Sequence, residues 1–181
     1  MSLRSKREFV VQQHKAKKAG EHFDFRLEMP HGKKNMLISW AIRKGPSMNP
    51  AIRRLAIETS PHALEYGKFE GIIEEGQYGA GKTSIWDKGT YEMVRPRKLK
   101  SEDLKKIKMF EFRLRGKKLK GSFMMIKTKR GWLLKKKFDK FADTKNDVIK
   151  DAPKSVISGK KIDEITKKDG YIPVVTKGYG I

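Results

Sequence analysis

Residues 22–28, His-Phe-Asp-Phe-Arg-Leu-Glu, decide the fold prediction because polar and apolar side chains alternate strictly along them. Successive side chains of a β-strand point to opposite faces, so the two phenylalanines and the leucine would face a core. The other face would carry His22, Asp24, Arg26 and Glu28. Residues two apart on one face are roughly 6–7 Å apart, close enough to share one ion or one phosphate. The stretch therefore predicts an amphipathic strand with metal- and anion-binding residues in one row.

A second histidine precedes this row. His14 lies eight positions before His22, beyond the basic, glycine-containing segment 15–20. A turn in that segment would bring His14 onto the same face as Asp24. A polar strand face is also ordinary in an antiparallel sheet exposed to water, and that interpretation stays open. Because the chain has only four histidines, two of them beside one strand favour a site.

The composition indicates the class of partner. A length of 181 residues predicts one domain, with or without an extension, and 43 Lys and Arg against 21 Asp and Glu give a net charge of +22. Such an excess usually faces a polyanion, so nucleic acid is the expected partner and an anionic membrane surface the weaker alternative. The absence of cysteine excludes disulfides, thiolate metal sites and a cysteine nucleophile. Without a secretory leader or an apolar run of roughly 20 residues, we expect a cytoplasmic, nucleoid-associated protein without a membrane partner.

Further strands are expected on both sides of the central one, because alternating or apolar segments recur with turn residues between them. Residues 52–58 fit a helix and a strand equally well. Short helical pieces are expected at 101–108 and 162–165. The predicted strands are 8–13, 22–28, 36–42, 90–93, 110–114, 121–127 and 132–138.

Three regions are expected along the chain. Residues 1–8 are polar and predicted to be frayed or disordered. Residues 9–150 would form the domain, and the lysine- and glycine-rich residues 151–181 would be an extension that packs on it or trails from it.

Residues 76–83, Gly-Gln-Tyr-Gly-Ala-Gly-Lys-Thr, match the letters of a phosphate-binding loop. A genuine loop of this kind follows a hydrophobic strand and opens a helix. Residues 84–89 are too few and too β-like for that helix. The glycines therefore predict a turn, and nucleotide hydrolysis is disfavoured.

The polar residues of the 22–28 strand, together with His14 and nearby basic residues, indicate a type of reaction. Two histidines and a carboxylate can hold a divalent ion, and this donor set suits Mn, Fe or Zn better than Ca or Mg. Arg26, Lys44 and Arg54 could grip a phosphate, arginine bidentately and lysine as a point charge. His62 offers a proton donor or acceptor near neutral pH. The set predicts metal-assisted phosphoester hydrolysis; the rival hypothesis is a non-catalytic, basic, nucleic-acid-binding β-barrel.

The same residues carry a family resemblance. FVVQQH at 9–14 and HFDFRLE at 22–28 resemble the opening of the 3'-phosphoesterase module of bacterial DNA ligase D, and the similarity reaches SVISG at 155–159. The segments between are SWA at 39–41, KGPS at 44–47, RLA at 54–56, HALEY at 62–66, FEGII at 69–73, GQYGAG at 76–81, WDKG at 86–89 and WLLKK at 132–136.

This resemblance implies a mainly β fold, a compact antiparallel β-barrel with a few short helices. It implies dependence on Mn²⁺ or a similar divalent ion such as Co²⁺ or Zn²⁺. Family members heal DNA 3' ends in double-strand break repair by non-homologous end joining. They remove a 3'-terminal ribonucleoside from a primer-template and then the 3'-phosphate, leaving a 3'-OH. Because 181 residues leave no room for ligase or polymerase modules, we expect a stand-alone enzyme acting with separate ligase, polymerase and Ku proteins.

Carried over by position, the resemblance implies that His14, His22 and Asp24 are metal ligands. Seven residues separate the two histidines here, more than is usual in the family. The family's acidic residue just before the position of His62 is replaced by Ser-Pro at 60–61.

The resemblance also implies a phosphate site. Arg26, Lys44 and Arg54 would hold the scissile phosphate. His62 would assist the transition state, and Tyr66 would help to position the phosphate. The implied catalytic residues are Arg26, Arg54, His62 and Tyr66.

Overall fold

The computed structural model describes residues 6–174, and strands dominate this part of the chain. The strands are β1 (Arg7–Ala16), β2 (Gly20–His31), β3 (Lys34–Ile42), β4 (Arg53–His62), β5 (Gly71–Ile73), β6 (Gly81–Arg95), β7 (Met109–Gly116), β8 (Lys120–Thr128), β9 (Gly131–Lys136) and β10 (Tyr171–Ile172).

Eight of these strands close into an antiparallel barrel. Their order is β1-β2-β3-β4-β9-β8-β7-β6, and β6 pairs back with β1. Closure leaves none of these eight strands with an unpaired edge along the barrel wall. The short strand β5 adds to β6, and β10 pairs with β5 in parallel. The predicted mainly β, antiparallel barrel is confirmed.

Helical structure is sparse in residues 6–174. Residues 52–58, for which a helix and a strand were equally expected, enter strand β4 at Arg53. The helix expected at 101–108 is a shorter 3₁₀ turn. None of the described helices is long and apolar enough to cross a membrane. The helical elements are α1 (Val148–Asp151) and the 3₁₀ turns Leu64–Lys68, Ser101–Lys105 and Ile162–Glu164.

The barrel interior is filled by large aromatic side chains. Phe25 of β2 lies 5.9 Å from Phe112 and 6.5 Å from Trp40 between ring centroids. All three apolar residues of the 22–28 stretch are buried in this core, as the alternation predicts. Burying such rings stabilises each strand by about 1.5–3 kcal/mol per side chain, which fixes the register of β2.

A second, smaller core lies outside the barrel. Val10 of β1, Leu37 of β3 and Ile85 of β6 are buried together, and Leu64 and Val156 pack against them. The outer side of these strands is therefore covered rather than exposed to water. This cover explains why polar side chains on the neighbouring outer face of β2 are also buried.

The chain after α1 returns to the barrel. Residues 152–174, called here the C-terminal strap, bury Ile162 and Ile165 and end in β10. The backbone N–H of Val156 donates to the carbonyl of Ile85 at 2.9 Å. At the other end of the chain, β1 already begins at Arg7. The rest of the two predicted terminal regions, residues 1–5 and 175–181, lies outside the described residues.

Candidate active site

A cavity of about 800 Å³ opens on the outer face of the barrel where β1, β2, β3 and β4 run side by side. The strand register places Asp24 opposite Ala41 and Ala41 opposite Ile57, and all three line the cavity. Residues 75–80, in the loop before β6, complete the lining. Ligand sites commonly measure about 300–1,000 Å³, so the cavity has room for more than a single phosphate group.

Two histidines and a carboxylate meet in this cavity. His14 and His22 are direct cross-strand partners, and their ring centroids lie 4.9 Å apart. Asp24 lies between them, with Oδ2 3.5 Å from Nδ1 of His14 and Oδ1 3.3 Å from Nε2 of His22. One potential ligand atom from each residue lies within 4.8 Å of the others, so the three could hold a metal ion.

Backbone carbonyls fix which ring nitrogen of each histidine faces Asp24. Nε2 of His14 is 2.7 Å from the carbonyl oxygen of Gly79, and Nδ1 of His22 is 3.2 Å from that of Gly20. A carbonyl can only accept, so each of these nitrogens carries the proton. Nδ1 of His14 and Nε2 of His22 are therefore the nitrogens that face Asp24 and that a metal ion would bind. This arrangement is typical of metal-binding histidines, and the donor set fits a divalent transition metal.

The cluster also perturbs its own protonation. Burial alone would raise the pKa of Asp24, but hydrogen bonds from the two histidines and the charge of Arg26 outweigh it and lower that pKa. Burial alone would lower the pKa of His22, but its hydrogen bond to Asp24 and the Asp24 charge raise it. Asp24 is therefore an ionised carboxylate at neutral pH, which is the form that binds a cation.

Arg26 lies beside this cluster and is only 3% exposed. Its Nε donates to Oε1 of Gln12 at 2.6 Å, and one terminal nitrogen donates to Oγ of Ser39 at 2.9 Å. The other terminal nitrogen is 3.3 Å from Oδ2 of Asp24. The two hydrogen bonds use two of the five N–H donors of the guanidinium, and because Arg26 lines the cavity, donors that these contacts do not use could bind an anion there.

Aromatic rings form another part of the lining. His62 stacks on Tyr66 with centroids 4.2 Å apart, and the guanidinium carbon of Arg26 lies 5.0 Å from the Tyr66 ring centroid. Burial and the charge of Arg26 lower the pKa of His62 to about 4. Burial raises the pKa of Tyr66. At neutral pH His62 is therefore an uncharged imidazole and Tyr66 an uncharged phenol.

Six of the eight predicted site residues line the cavity; Lys44 and Arg54 are not among the described residues that do. Lys44 is exposed in the turn after β3. Arg54 lies two residues before Ala56, which is buried in the barrel core, so strand alternation places it away from the cavity side of β4. Its Nε is buried and has no hydrogen-bond partner among residues 6–174. Phosphate binding by Lys44 and Arg54 stays a prediction.

Sequence reasoning missed other residues of the site. Arg43, next to Lys44, lines the cavity, as do Lys17 and Lys18 of the basic segment between the two histidines. Gln12, which holds Arg26, precedes His14 by two positions, and strand alternation could have assigned it to the same face.

The glycine segment at 76–83 forms turns, as expected. Strand β6 begins at Gly81, so no helix follows the glycines and the match to a phosphate-binding loop lacks its structural context. Gly79 has φ +78°, a left-handed conformation that suits glycine. A side chain there would also meet Tyr66 and His14, at 3.3 and 3.6 Å.

Fold and cavity together define a basic β-barrel protein with a polar site able to hold a cation and an anion side by side. Residues 12–127 match the family described as the DNA ligase D 3'-phosphoesterase domain. The chain belongs to this family, and membership implies a 3'-phosphoesterase, which is a hydrolase.

Three relatives illustrate the relationship. The chain is 40% identical over 158 residues to the multifunctional non-homologous end joining protein LigD of Pseudomonas aeruginosa, covering 83% of this chain and 18% of that protein. It is 49% identical over 84 residues to the corresponding Mycobacterium tuberculosis DNA repair protein, covering 46% and 10%. It is 37% identical over 129 residues to the Mycolicibacterium smegmatis protein, covering 69% and 16%. The chain thus spans less than a fifth of the length of these relatives.

Proposed function

We propose that this chain is a metal-dependent 3'-end-healing phosphoesterase. It would remove a 3'-terminal ribonucleoside from a primer-template and then remove the remaining 3'-phosphate to expose a 3'-OH. One observation carries the proposal: the buried Arg26 guanidinium lies beside the His14, His22 and Asp24 cluster in the wall of a single cavity. A phosphate in that cavity would meet a cation site and fixed N–H donors together.

The three clustered residues would hold Mn²⁺, or Co²⁺, Zn²⁺ or a similar divalent ion. A bound ion of this kind supplies Lewis acidity at a phosphoryl oxygen and lowers the pKa of bound water. The backbone carbonyls of Gly79 and Gly20 orient the two rings so that Nδ1 of His14 and Nε2 of His22 face the ion site. The ionised Asp24 balances the charge of Arg26 within the same buried site.

Arg26 would bind and orient the scissile phosphate. Because three of its contacts fix the plane of the guanidinium, little side-chain entropy is lost when its remaining N–H groups bind an anion. Such preorganised donors stabilise the negative charge that builds up on the phosphoryl oxygens in the transition state. Lys17, Lys18 and Arg43 add positive charge around the same cavity.

His62 would donate a proton to the leaving oxygen. Water attacks phosphorus, the bond from phosphorus to the leaving oxygen breaks, and that oxygen takes a proton. The leaving oxygen belongs to the terminal nucleoside in the first step and to the primer 3' end in the second. A phosphate anion next to His62 raises the pKa of its imidazole, so the protonated ring can donate. Tyr66 stacks on the imidazole and fixes its plane.

We place this activity in DNA double-strand break repair by non-homologous end joining, with separate ligase, polymerase and Ku proteins as partners. The names of the relatives support this context. The net charge of +22 favours a DNA or RNA–DNA primer-template as the substrate.

The test uses a 5'-labelled primer on a longer template, ending in one 3' ribonucleotide and incubated with Mn²⁺. We expect the primer to shorten first to a 3'-phosphate and then to a 3'-OH end, and a chelator to prevent both changes. His22→Ala should abolish both steps while salt-dependent DNA binding persists. The matched control is His31→Ala, because His31 contacts Ser101 outside the cavity.

Two results would contradict the proposal. One is an untouched primer together with an untouched 3'-phosphate primer across several metals, which favours a non-catalytic, nucleic-acid-binding barrel. The other is full activity in His22→Ala, which would place the chemistry elsewhere.

A further inference from the structure

Tyr78 presents an aromatic ring to the cavity with little packing of its own. Its side chain lines the cavity and the residue is 69% exposed. Within residues 6–174, its ring contact is His62, at 6.0 Å between centroids and with the planes tilted by 34°. A packing role normally buries a tyrosine ring, so this exposure indicates a surface that is available to a ligand.

The loop that carries Tyr78 is held in place on both sides. The carbonyl of Gly79 accepts the His14 hydrogen bond at 2.7 Å, and the N–H of Lys17 donates to the carbonyl of Ala80 at 3.2 Å. The side chains of Lys17 and Glu75 form an ion pair at 2.9 Å. The ring is therefore presented by an anchored loop, which reduces the entropy lost when a ligand stacks on it.

Aliphatic side chains add to the apolar surface of the same cavity. Leu55 and Ile57 of β4 both line it, and each is 43% exposed. Exposed aromatic and aliphatic side chains beside a phosphate site suit a ligand with a charged part and a flat apolar part. A nucleotide has both parts, since every base has a π-face that stacks on an aromatic ring.

We propose that Tyr78, with Leu55 and Ile57, forms the subsite for the nucleobase of the 3'-terminal nucleoside that is released in the first step. This inference rests on the proposed function. The upstream bases of the primer stay paired and stacked in the duplex, whereas the terminal base can leave the stack and enter the cavity. Enzymes that take a base out of a stack receive it between aromatic and apolar side chains. A 3'-phosphate end has no base beyond its phosphate and does not fill this subsite.

Comparing the rates of the two steps therefore distinguishes a role of Tyr78 in the base subsite from a role in the rest of the site. Tyr78→Ala should lower kcat/KM for ribonucleoside removal by about 10- to 100-fold, the range expected for losing one base-stacking contact. The same variant should remove a 3'-phosphate within about threefold of wild type, because no base is bound in that step. Tyr78→Phe keeps the ring and should behave like wild type in both steps.

Phe138→Ala is the matched control, because Phe138 is an exposed aromatic in a lysine-rich segment and is not among the described cavity residues. It should leave both steps at the wild-type rate. If Tyr78→Ala lowers both steps equally, Tyr78 acts through His62 or the upstream primer, and the subsite is refuted. If it lowers neither, the terminal base binds elsewhere.

A binding measurement tests whether the terminal base contacts Tyr78 in the absence of turnover. A primer-template ending in a 3' 2-aminopurine ribonucleotide is mixed with protein in chelator, and the emission of the base is recorded. Stacking on Tyr78 should quench it in wild type and in Tyr78→Phe, and Tyr78→Ala should restore the emission. Equal emission with wild type and Tyr78→Ala would overturn the inference. A wild-type protein that quenches the base but cleaves neither primer with any metal would refute the proposed function and leave the subsite standing.

Discussion

Gln12 should be the residue on which the geometry of Arg26 depends. Its side chain is completely buried. Oε1 accepts from Nε of Arg26 at 2.6 Å, while Nε2 donates to the carbonyls of Tyr66 and Phe69 at 2.9 and 3.0 Å. One amide therefore joins the arginine to the turn that carries Tyr66. We predict that Gln12→Ala destabilises the fold and slows turnover together.

The size of the effect follows from the three hydrogen bonds. A bond to a charged group contributes about 1.5–3 kcal/mol and a neutral one about 1 kcal/mol, so Gln12→Ala should lower the free energy of unfolding by about 3–5 kcal/mol. Gln13→Ala is the matched control, since it removes the same atoms from a neighbouring buried position. Gln13 makes one bond of 3.3 Å to Glu21, and its Oε1 has no partner among the described residues. Its loss should be about 2–3 kcal/mol smaller than that of Gln12.

Urea unfolding measures the first quantity, provided that the m-value is unchanged between the variants. Phosphatase turnover at a temperature where both variants are folded measures the second. We expect at least a tenfold loss of kcat in Gln12→Ala and a rate near wild type in Gln13→Ala. Equal unfolding midpoints for the two variants would show that the Gln12 hydrogen bonds add nothing beyond packing, and the account of Arg26 would be wrong.

Three further predictions concern the same site. Gly79→Ala places a Cβ at φ +78° and 3.3 Å from Oη of Tyr66. Thermal unfolding should therefore show a free energy of unfolding that is lower by about 1–2 kcal/mol, and turnover should be slower. An unchanged melting temperature would contradict this. Because folding lowers the pKa of Asp24, its carboxylate stabilises the fold at pH values above the ordinary pKa of 3.8. This stabilisation is lost as pH falls through the pKa of the folded state. Urea midpoints measured from about pH 6 to about pH 3 should therefore fall less steeply in Asp24→Asn, and parallel curves would count against the ion cluster. The folded pKa of His62, about 4, lies below its ordinary value of 6.5, so its contribution to stability is complete above pH 6.5 and declines as pH falls toward 4. NMR titration of the His62 imidazole should give that midpoint in the free protein and a higher one with added phosphate; a free-state midpoint at 6.5 would refute the burial argument.

The inside of the barrel was predictable, because alternation is a local property of a strand. Residues 22–28 assign their apolar side chains to one face whatever the rest of the chain does, and the structure confirms this face as core. The burial of the other face was not predictable. Asp24 is 6% exposed and Arg26 3%, because the 3₁₀ turn Leu64–Lys68 and the second core cover the outer side of the neighbouring strands. That cover comes from residues distant in sequence, so no local pattern encodes it.

Part of the candidate site was likewise predictable from the sequence, and part was not. The approach of His14 and His22 was predictable, because a turn between two strands must pair their ends, and the register makes them direct partners. Tyr78 was not predicted as a site residue, since glycines on both sides indicate a turn but not which cavity the turn lines. The placement of Arg54 depends on which face of β4 turns inward, and a segment that fits helix and strand equally cannot decide that.

The C-terminal strap extends the site beyond the part of the chain that carries the family match. That match ends at residue 127, yet residues 152–174 reach the cavity loop through the parallel pairing of β10 with β5. Strand β5 ends directly before the loop 74–80, and the N–H of Glu74, the first residue of that loop, donates to the carbonyl of Ile172 in β10 at 2.9 Å. The loop in turn supplies the Gly79 carbonyl that sets the tautomer of His14. His14, the first of the three predicted metal ligands, is thus oriented by a loop whose base is held by the strap. The barrel provides the strands of the site, and the strap provides the position of the loop that completes it.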